Sequence, residues 1–221
     1  MYWNDSGYLL NKNYYSENTM IIEVLTNNHG KCSGLVYGGS SRKIKKNLQI
    51  GNKILVSFKS KNVNKIGYFT IELIKAISPE FFDNKEKILC ILSASTILKI
   101  LMPERQINKK IYSSFELLIN NLNNRNWILS YIYWEQLIIK ELGFDLNLSD
   151  LNKLNNKNKI KINNMIFNIP EIFTSNKNLN LSNNQIKEAL KFNKQVFIMN
   201  LFDGNQLKIP NSRNYLENCF N

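Results

Sequence analysis

The chain has 221 residues, 43% of them hydrophobic, and carries 29 Lys/Arg against 17 Asp/Glu, a formal charge of +12. That apolar fraction excludes wholesale disorder, and the length allows one large domain or two small ones. Cys32, Cys90 and Cys219 are far apart with no CxxC pair, and His29 is the single histidine, which excludes a zinc ribbon and a disulfide-stapled secreted scaffold. The 37 asparagines, accompanied by many Ile and Lys, reflect A/T-rich codons rather than a function.

In chain order, MYWNDSGYLL places Asn4 and Asp5 where a secretory signal would carry basic residues and then an apolar run, so a cytoplasmic protein is expected. After Gly7, YLLNKNYY reads as a first strand. TMIIEVLT (Thr19 to Thr26) is a β-branched run ending on the turn cluster Asn27-Asn28-His29-Gly30. GKCSGLVYG predicts a third strand, KILVSFKS (Lys53 to Ser60) a fourth and GYFTIELIKAI (Gly67 to Ile77) a fifth. In the fifth, Phe69, Ile71 and Leu73 alternate with Tyr68, Thr70 and Glu72, the period of a half-buried strand. Five strands with a basic irregular segment after the third suit a small closed barrel of the OB type; a five-stranded SH3-like barrel has the same string.

Ser78-Pro79 ends the alternation and the period changes. EKILCILSASTILKILM (Glu86 to Met102) carries a helical apolar stripe stopped by Pro103. Further helices are expected over Ile107 to Leu122 and over Asn126 to Leu142, the latter closing on Gly143. Residues 147 to 184, rich in Asn and Lys, read as an exposed loop (about 150–168) with one short strand, and Asn184 to Leu201 as a final helix. Strands followed by helices predict an α+β chain of two domains. These are a five-stranded OB-fold β-barrel over 1–78 and an all-α helical domain over 79–221. The most apolar window, Trp127 to Leu142, contains Glu135, Gln136 and Lys140, so a buried helix is expected there and not a membrane span.

The charge is unevenly spread. Residues 1 to 79 hold 11 Lys/Arg and 4 Asp/Glu, and the 48 positions from Val24 to Ile71 hold nine basic residues and no acidic one. Lysine-rich codon use raises the lysine count but does not remove carboxylates from so long a run. A one-signed surface attracts polyanions. The basic residues are densest after Gly38-Gly39, at Arg42, Lys43, Lys45 and Lys46. With no GxxxxGK[ST] and no GxGxxG, this is not a nucleotide loop. His29 sits in a turn, as a polar filler would. Asp5, Glu17, Glu23 and Glu72 are scattered, where a metal-dependent nuclease needs convergent carboxylates. Neither catalysis, metal nor cofactor is expected. Tyr8, Tyr14, Tyr15, Tyr37, Phe58, Tyr68 and Phe69 lie among the basic residues, the mixture that single-strand binding uses. Phe58 and Phe69 are expected in the core and Tyr37 as the exposed ring. Trp127, Tyr131 and Trp134, at i, i+4 and i+7, are expected in a helical core.

Several segments, in this order and spacing, resemble the RecO family of bacterial recombination mediators. They begin with Trp3-x-Asp5-x-Gly7-Tyr8-x-Leu10, then Glu17-x-Thr19 and MIIEVLT, then GKCSGLVYGGSSRK and LQIGN (Leu48 to Asn52). WEQLIIKELGFDLNLS (Trp134 to Ser149) is similar to the family's aromatic-Glu-leucine helix, and IPNSRNYL, through Pro210 and Arg213, to its closing motif. The resemblance implies an OB-fold followed by a helical domain, binding to single- and double-stranded DNA, and annealing of complementary strands. It also implies displacement of single-strand-binding protein so that recombinase loads, with RecR and the acidic C-terminal tail of single-strand-binding protein as partners. Two departures stand out. Asp150 to Asn168 is short and lacks the cysteines with which some relatives hold zinc, so no zinc is expected. Ser40 stands where close relatives often carry Arg after the two glycines.

The combined expectation is a DNA repair and recombination mediator, cytoplasmic and nucleoid-associated, whose DNA-binding residues are Lys31, Tyr37, Gly38, Gly39, Arg42, Lys43, Lys45, Lys46, Lys59 and Lys61. The cations neutralise phosphates, the glycines let the backbone turn tightly or approach closely, and the ring stacks on a base. An RNA-binding OB protein and a protein-interaction module without annealing activity are the rival readings. Lys140 and Arg125 are the weakest expectations, for an acidic tail on the helical domain.

Overall fold

The computed structural model describes residues 1–61, 66–144, 159–162, 165–174, 181–202 and 207–220. They form two compact units, Met1–Ser113 and Ser114–Asn221. The first holds a closed barrel in the order β1-β2-β3-β5-β4, with β4 returning to β1. Its strands are β1 (Tyr2–Ser16), β2 (Thr19–Thr26), β3 (Gly30–Tyr37), β4 (Lys53–Lys59) and β5 (Gly67–Lys75). The parallel β3–β5 pairing through Gly34↔Gly67 and Leu35↔Tyr68 is the join that makes this an OB barrel rather than an SH3-like one.

Two features explain the closure. β1 pairs with β4 through Tyr2–Tyr8 and with β2 through Gly7–Ser16, so one strand serves both sides and turns at Gly7. A Cβ on Gly7 would lie 2.5 Å from the Leu25 carbonyl oxygen, which only glycine avoids. Where β3 meets β5, Gly34 and Gly67 leave room for the rings of Phe69 and Phe58 against the backbone. Leu9, Met20, Ile22, Val24, Val36, Ile54, Val56, Phe58 and Phe69 fill the interior, and Leu48 plugs it from the β3–β4 connection. At roughly 1.5–3 kcal/mol per buried large apolar side chain, this core dominates the barrel's stability.

The first half of β1 lies outside the expected strand, which begins only after Gly7. Asp5 is buried, accepting from the backbone N–H of Asn28 at 2.7 Å and lying 3.0 Å from His29 Nδ1. His29 also stacks on Trp3 at 4.0 Å, so the β2–β3 turn is braced onto the strand. The LQIGN segment ends in Asn52, whose buried side chain accepts from the N–H groups of Ile77 and Ser78 and donates to the Asn47 carbonyl. It ties the β3–β4 connection to the exit from β5. Helix α2 (Lys85–Leu101) follows, capped by Asn84, and belongs to the barrel's unit. Past α2, Arg105 N–H donates to the Lys31 carbonyl at 2.7 Å, covering the first half of β3.

Cys32 in β3 is buried, and burial, followed by the charge of Glu104, pushes its thiol up from 9.0 to about 12. A raised folded pKa favours the folded state below pH 9.0, and that contribution is lost as pH rises toward about 12. At pH 8 only on the order of one molecule in ten thousand holds the thiolate. Native alkylation with iodoacetamide, read by peptide mass, is expected to leave Cys32 unmodified while half-exposed Cys219 reacts. Unfolding should equalise the two; prompt native labelling of Cys32 would contradict its burial.

The second unit is built on α3 (Lys109–Asn121, shared at its start with the first unit), α4 (Trp127–Glu141) and α5 (Asn183–Phe197), with α6 (Asn211–Asn218) at the end. Trp127, Tyr131 and Trp134 are buried as their spacing predicts. α4 closes on Gly143 at φ 96°, with Phe144 N–H reaching back to the Ile139 carbonyl. The expected single strand is a hairpin, β6 (Lys159–Ile162) with β7 (Met165–Asn168). The Asn/Lys-rich residues 145–158 lie outside the described residues. The two motifs that carried the resemblance in this half meet in space. Arg213 is fully buried, its guanidinium donating to both carboxylate oxygens of Glu135, to the Leu190 carbonyl at 2.6 Å and to Glu217 at 3.3 Å. Tyr131 Oη and Asn193 Nδ2 complete the Glu135 carboxylate at 2.9 and 3.1 Å. Burial, the largest influence, would lower the Arg213 pKa, but the Glu135 charge, Tyr131, the hydrogen bonding to Glu135 and the Glu217 charge together outweigh it and raise the value. No described helix is long and apolar enough to cross a membrane.

Candidate nucleic-acid interface

β3 ends at Tyr37, and Gly38 turns the chain at φ 68°. Gly39 then passes against the barrel, where a Cβ would lie 2.9 Å from Met20 Cγ. The two glycines therefore shape the turn, and Gly39, being buried, faces the protein rather than a ligand. Ser40 Oγ donates to the Glu17 carbonyl at 2.8 Å and meets Asn18 Oδ1 at 3.2 Å, pinning this loop to the β1–β2 turn. Its hydroxyl is thus engaged within the protein.

The four residues Arg42–Lys45 make a helical turn, α1, which the sequence reading treats as loop. Ser41 caps it, accepting from the Ile44 N–H at 3.5 Å. Successive side chains on a helix point about 100° apart. Ile44 is the one turned inward, packed on the barrel core beside Leu48. Arg42, Lys43, Lys45 and Lys46 are left exposed, and among the described residues none of the four forms an ion pair. Beneath them Lys12 of β1 donates to the Leu48 carbonyl and reaches Gln49 Oε1 at 3.5 Å. Partial burial, then the Lys45 charge, lower the Lys12 pKa, while Tyr14 opposes the shift. Burial is the larger influence; the Lys45 charge adds to it, and an approaching phosphate would offset that part.

Lys59 and Lys61 are exposed at and just past the end of β4. Lys31 is not on this surface. It is 8% exposed and its ammonium donates to the Lys99 carbonyl at 2.7 Å, covered by the chain that returns after α2. Its expected place among the DNA-binding residues is corrected accordingly, because the side chain is buried and its ammonium is held by a backbone carbonyl inside the protein. Tyr37 is exposed as expected, and it stacks on Tyr68 with centroids 5.0 Å apart and planes at 20°. Tyr68, Tyr2 and Lys12 were missing from the sequence-derived set. The alternation of β5 already turned Tyr68 outward, but only the β3–β5 pairing brings it to Tyr37. In the helical unit a groove of about 860 Å³ is lined by Lys159, Phe167, Pro170, Glu188, Lys191 and Phe192, and neither Arg125 nor Lys140 lines it. Among the described residues no group of three or more His, Cys, Asp or Glu is placed to hold a metal ion.

A closed five-stranded barrel with this pairing, followed by helices, defines a class, the OB-fold proteins. Comparison with known proteins narrows the class. Residues 1–77 match the family described as Recombination protein O N terminal, and residues 84–160 match Recombination protein O C terminal. The DNA repair protein RecO of Ehrlichia chaffeensis is 32% identical over 151 residues, 67% of this chain and 61% of that one. Those of Wolbachia pipientis subsp. Culex pipiens (32%) and Jannaschia sp. (30%) align over 67% of this chain and 62% and 61% of theirs. The chain belongs to the RecO family. It spans about three fifths of the length of these relatives.

Proposed function

We propose that the chain is a DNA repair and recombination mediator that binds single- and double-stranded DNA through its barrel. It anneals complementary strands and helps load recombinase on DNA coated with single-strand-binding protein. RecR and the acidic tail of single-strand-binding protein are the proposed partners, and the cytoplasm, at the nucleoid, the proposed setting. The observation that carries this reading is the capped turn Arg42–Lys45, anchored by Ile44, that holds Arg42, Lys43, Lys45 and neighbouring Lys46 outward with no carboxylate partner among the described residues. Phosphate neutralisation by such a cluster gives affinity without sequence readout, because condensed counterions are released. Annealing follows when two strands are held by their backbones alone: their mutual repulsion is screened while their bases stay free to find register. The names of the relatives, all DNA repair proteins, support the same reading.

Annealing of two complementary fluorescent strands, with and without single-strand-binding protein, tests it. The purified chain is expected to accelerate pairing in both conditions. Inertness in both would remove the mediator reading.

A further inference from the structure

Resting on the DNA-binding reading above, we infer that the Tyr37–Tyr68 pair, with Lys59 and Tyr2 beside it, is a base-stacking strip that makes the barrel prefer single-stranded DNA over duplex. Three observations carry the inference. The rings are exposed, Tyr37 by 62%, Tyr68 by 40% and Tyr2 by 68%, and none of the three belongs to the barrel's interior. They also share one outer face. Tyr68 is opposite Lys59 in the β4–β5 ladder, and Lys59 is opposite Tyr2 in the β1–β4 ladder. Directly opposite residues point the same way, so the Lys59 position stands between two ring-bearing positions that are two strand spacings, about 10 Å, apart. Finally, Tyr37 and Tyr68 are already stacked at 5.0 Å and 20°, which leaves each ring an outer face at no further ordering cost.

A hydrogen bond with Tyr68, followed by partial desolvation, raises the Tyr37 pKa. No acidic residue occurs between Val24 and Ile71, so nothing within β3, β4 or the start of β5 repels the backbone of a strand laid over these rings. A single strand offers unpaired base faces to such a strip, whereas a duplex hides them inside its own stack. The cations of α1 make no such distinction, since phosphates are present on both. The barrel thus separates a strand-selective surface from a strand-indifferent one.

The experiment is fluorescence anisotropy of the full chain on a labelled mixed-sequence oligonucleotide, single-stranded and as duplex, for Tyr37→Ala/Tyr68→Ala and for Tyr37→Phe/Tyr68→Phe. Base–ring stacking predicts that the alanine pair weakens single-strand binding by about tenfold or more and duplex binding by less than about twofold. The phenylalanine pair keeps the wild-type preference, because the ring and not the hydroxyl does the stacking. Equal loss on both forms, or no loss on either, overturns the inference while leaving the DNA-binding reading standing. A wild-type chain that binds neither form fails that earlier reading instead. Tighter wild-type binding to single-stranded RNA of the same sequence overturns the choice of DNA.

Discussion

Replacing Arg213 by Met is expected to cost the helical unit about 3–5 kcal/mol, the loss typical of a buried ion pair with one partner removed. The methionine fills similar volume, so the cost is not mainly a cavity. It comes from the Glu135 carboxylate, which is fully buried and would keep only Tyr131 Oη and Asn193 Nδ2 as donors. Glu217 would lose a bond as well, retaining Lys194 at 3.5 Å. Arg213→Lys is expected to lose an intermediate amount, since one ammonium cannot donate to both Glu135 oxygens and the Leu190 carbonyl in the planar fork that guanidinium provides. Arg213→Met combined with Glu135→Leu should recover part of the loss, because no charge is then stranded. Urea unfolding followed by the fluorescence of Trp127 and Trp134, both inside this unit, gives the measurement. With a slope of about 1–3 kcal/mol per molar urea, the midpoint should fall by about 1 M or more. A midpoint within a few tenths of a molar of wild type would show that the network does not hold these helices.

That network also marks the limit of what the sequence can say. Both halves of it were visible as family motifs, but Glu135 and Arg213 are separated by 78 positions, and no local pattern announces that they pair. β2 through β5 and the long helices were legible because their apolar residues repeat at the period of the element that buries them. The first seven residues were not, since Asp5 and Gly7 are turn formers unless a distant turn binds the one and a strand crossing needs the other. α1 is four residues, too short for propensity to register, and is fixed by Ile44 docking on the barrel. The basic stretch from Val24 to Ile71 is one-signed in the sequence, but charge along a chain does not tell which face is covered. Lys31 was lost to the surface through its bond to the Lys99 carbonyl in α2, a contact made 68 positions away. Tyr68 was gained by a parallel strand pairing equally absent from any window.

Changing Arg42, Lys43, Lys45 and Lys46 together to Ala is expected to flatten the salt dependence of DNA binding by about 3 in the slope of log K against log salt. The expectation follows from four phosphate contacts at about 0.7 per contact on single strands and 0.9 on duplex. Between about 50 and about 200 mM salt, the wild type should then lose roughly sixtyfold more affinity than the variant. All four side chains are exposed and Ile44 is untouched, so the barrel should melt within a few degrees of wild type. Net charge alone would also weaken binding, and a control separates the two. Lys75, Lys85, Lys109 and Lys191 are exposed elsewhere on the chain, and their replacement by Ala removes the same four charges. Long-range attraction falls similarly in both variants, but only contacts release condensed counterions and set the slope. The control should therefore bind more weakly at low salt with its slope nearly intact. Should both variants flatten the slope alike, the four cations of the turn would be bystanders in a diffuse field, and the barrel rim would lose its claim to be where the backbone is held.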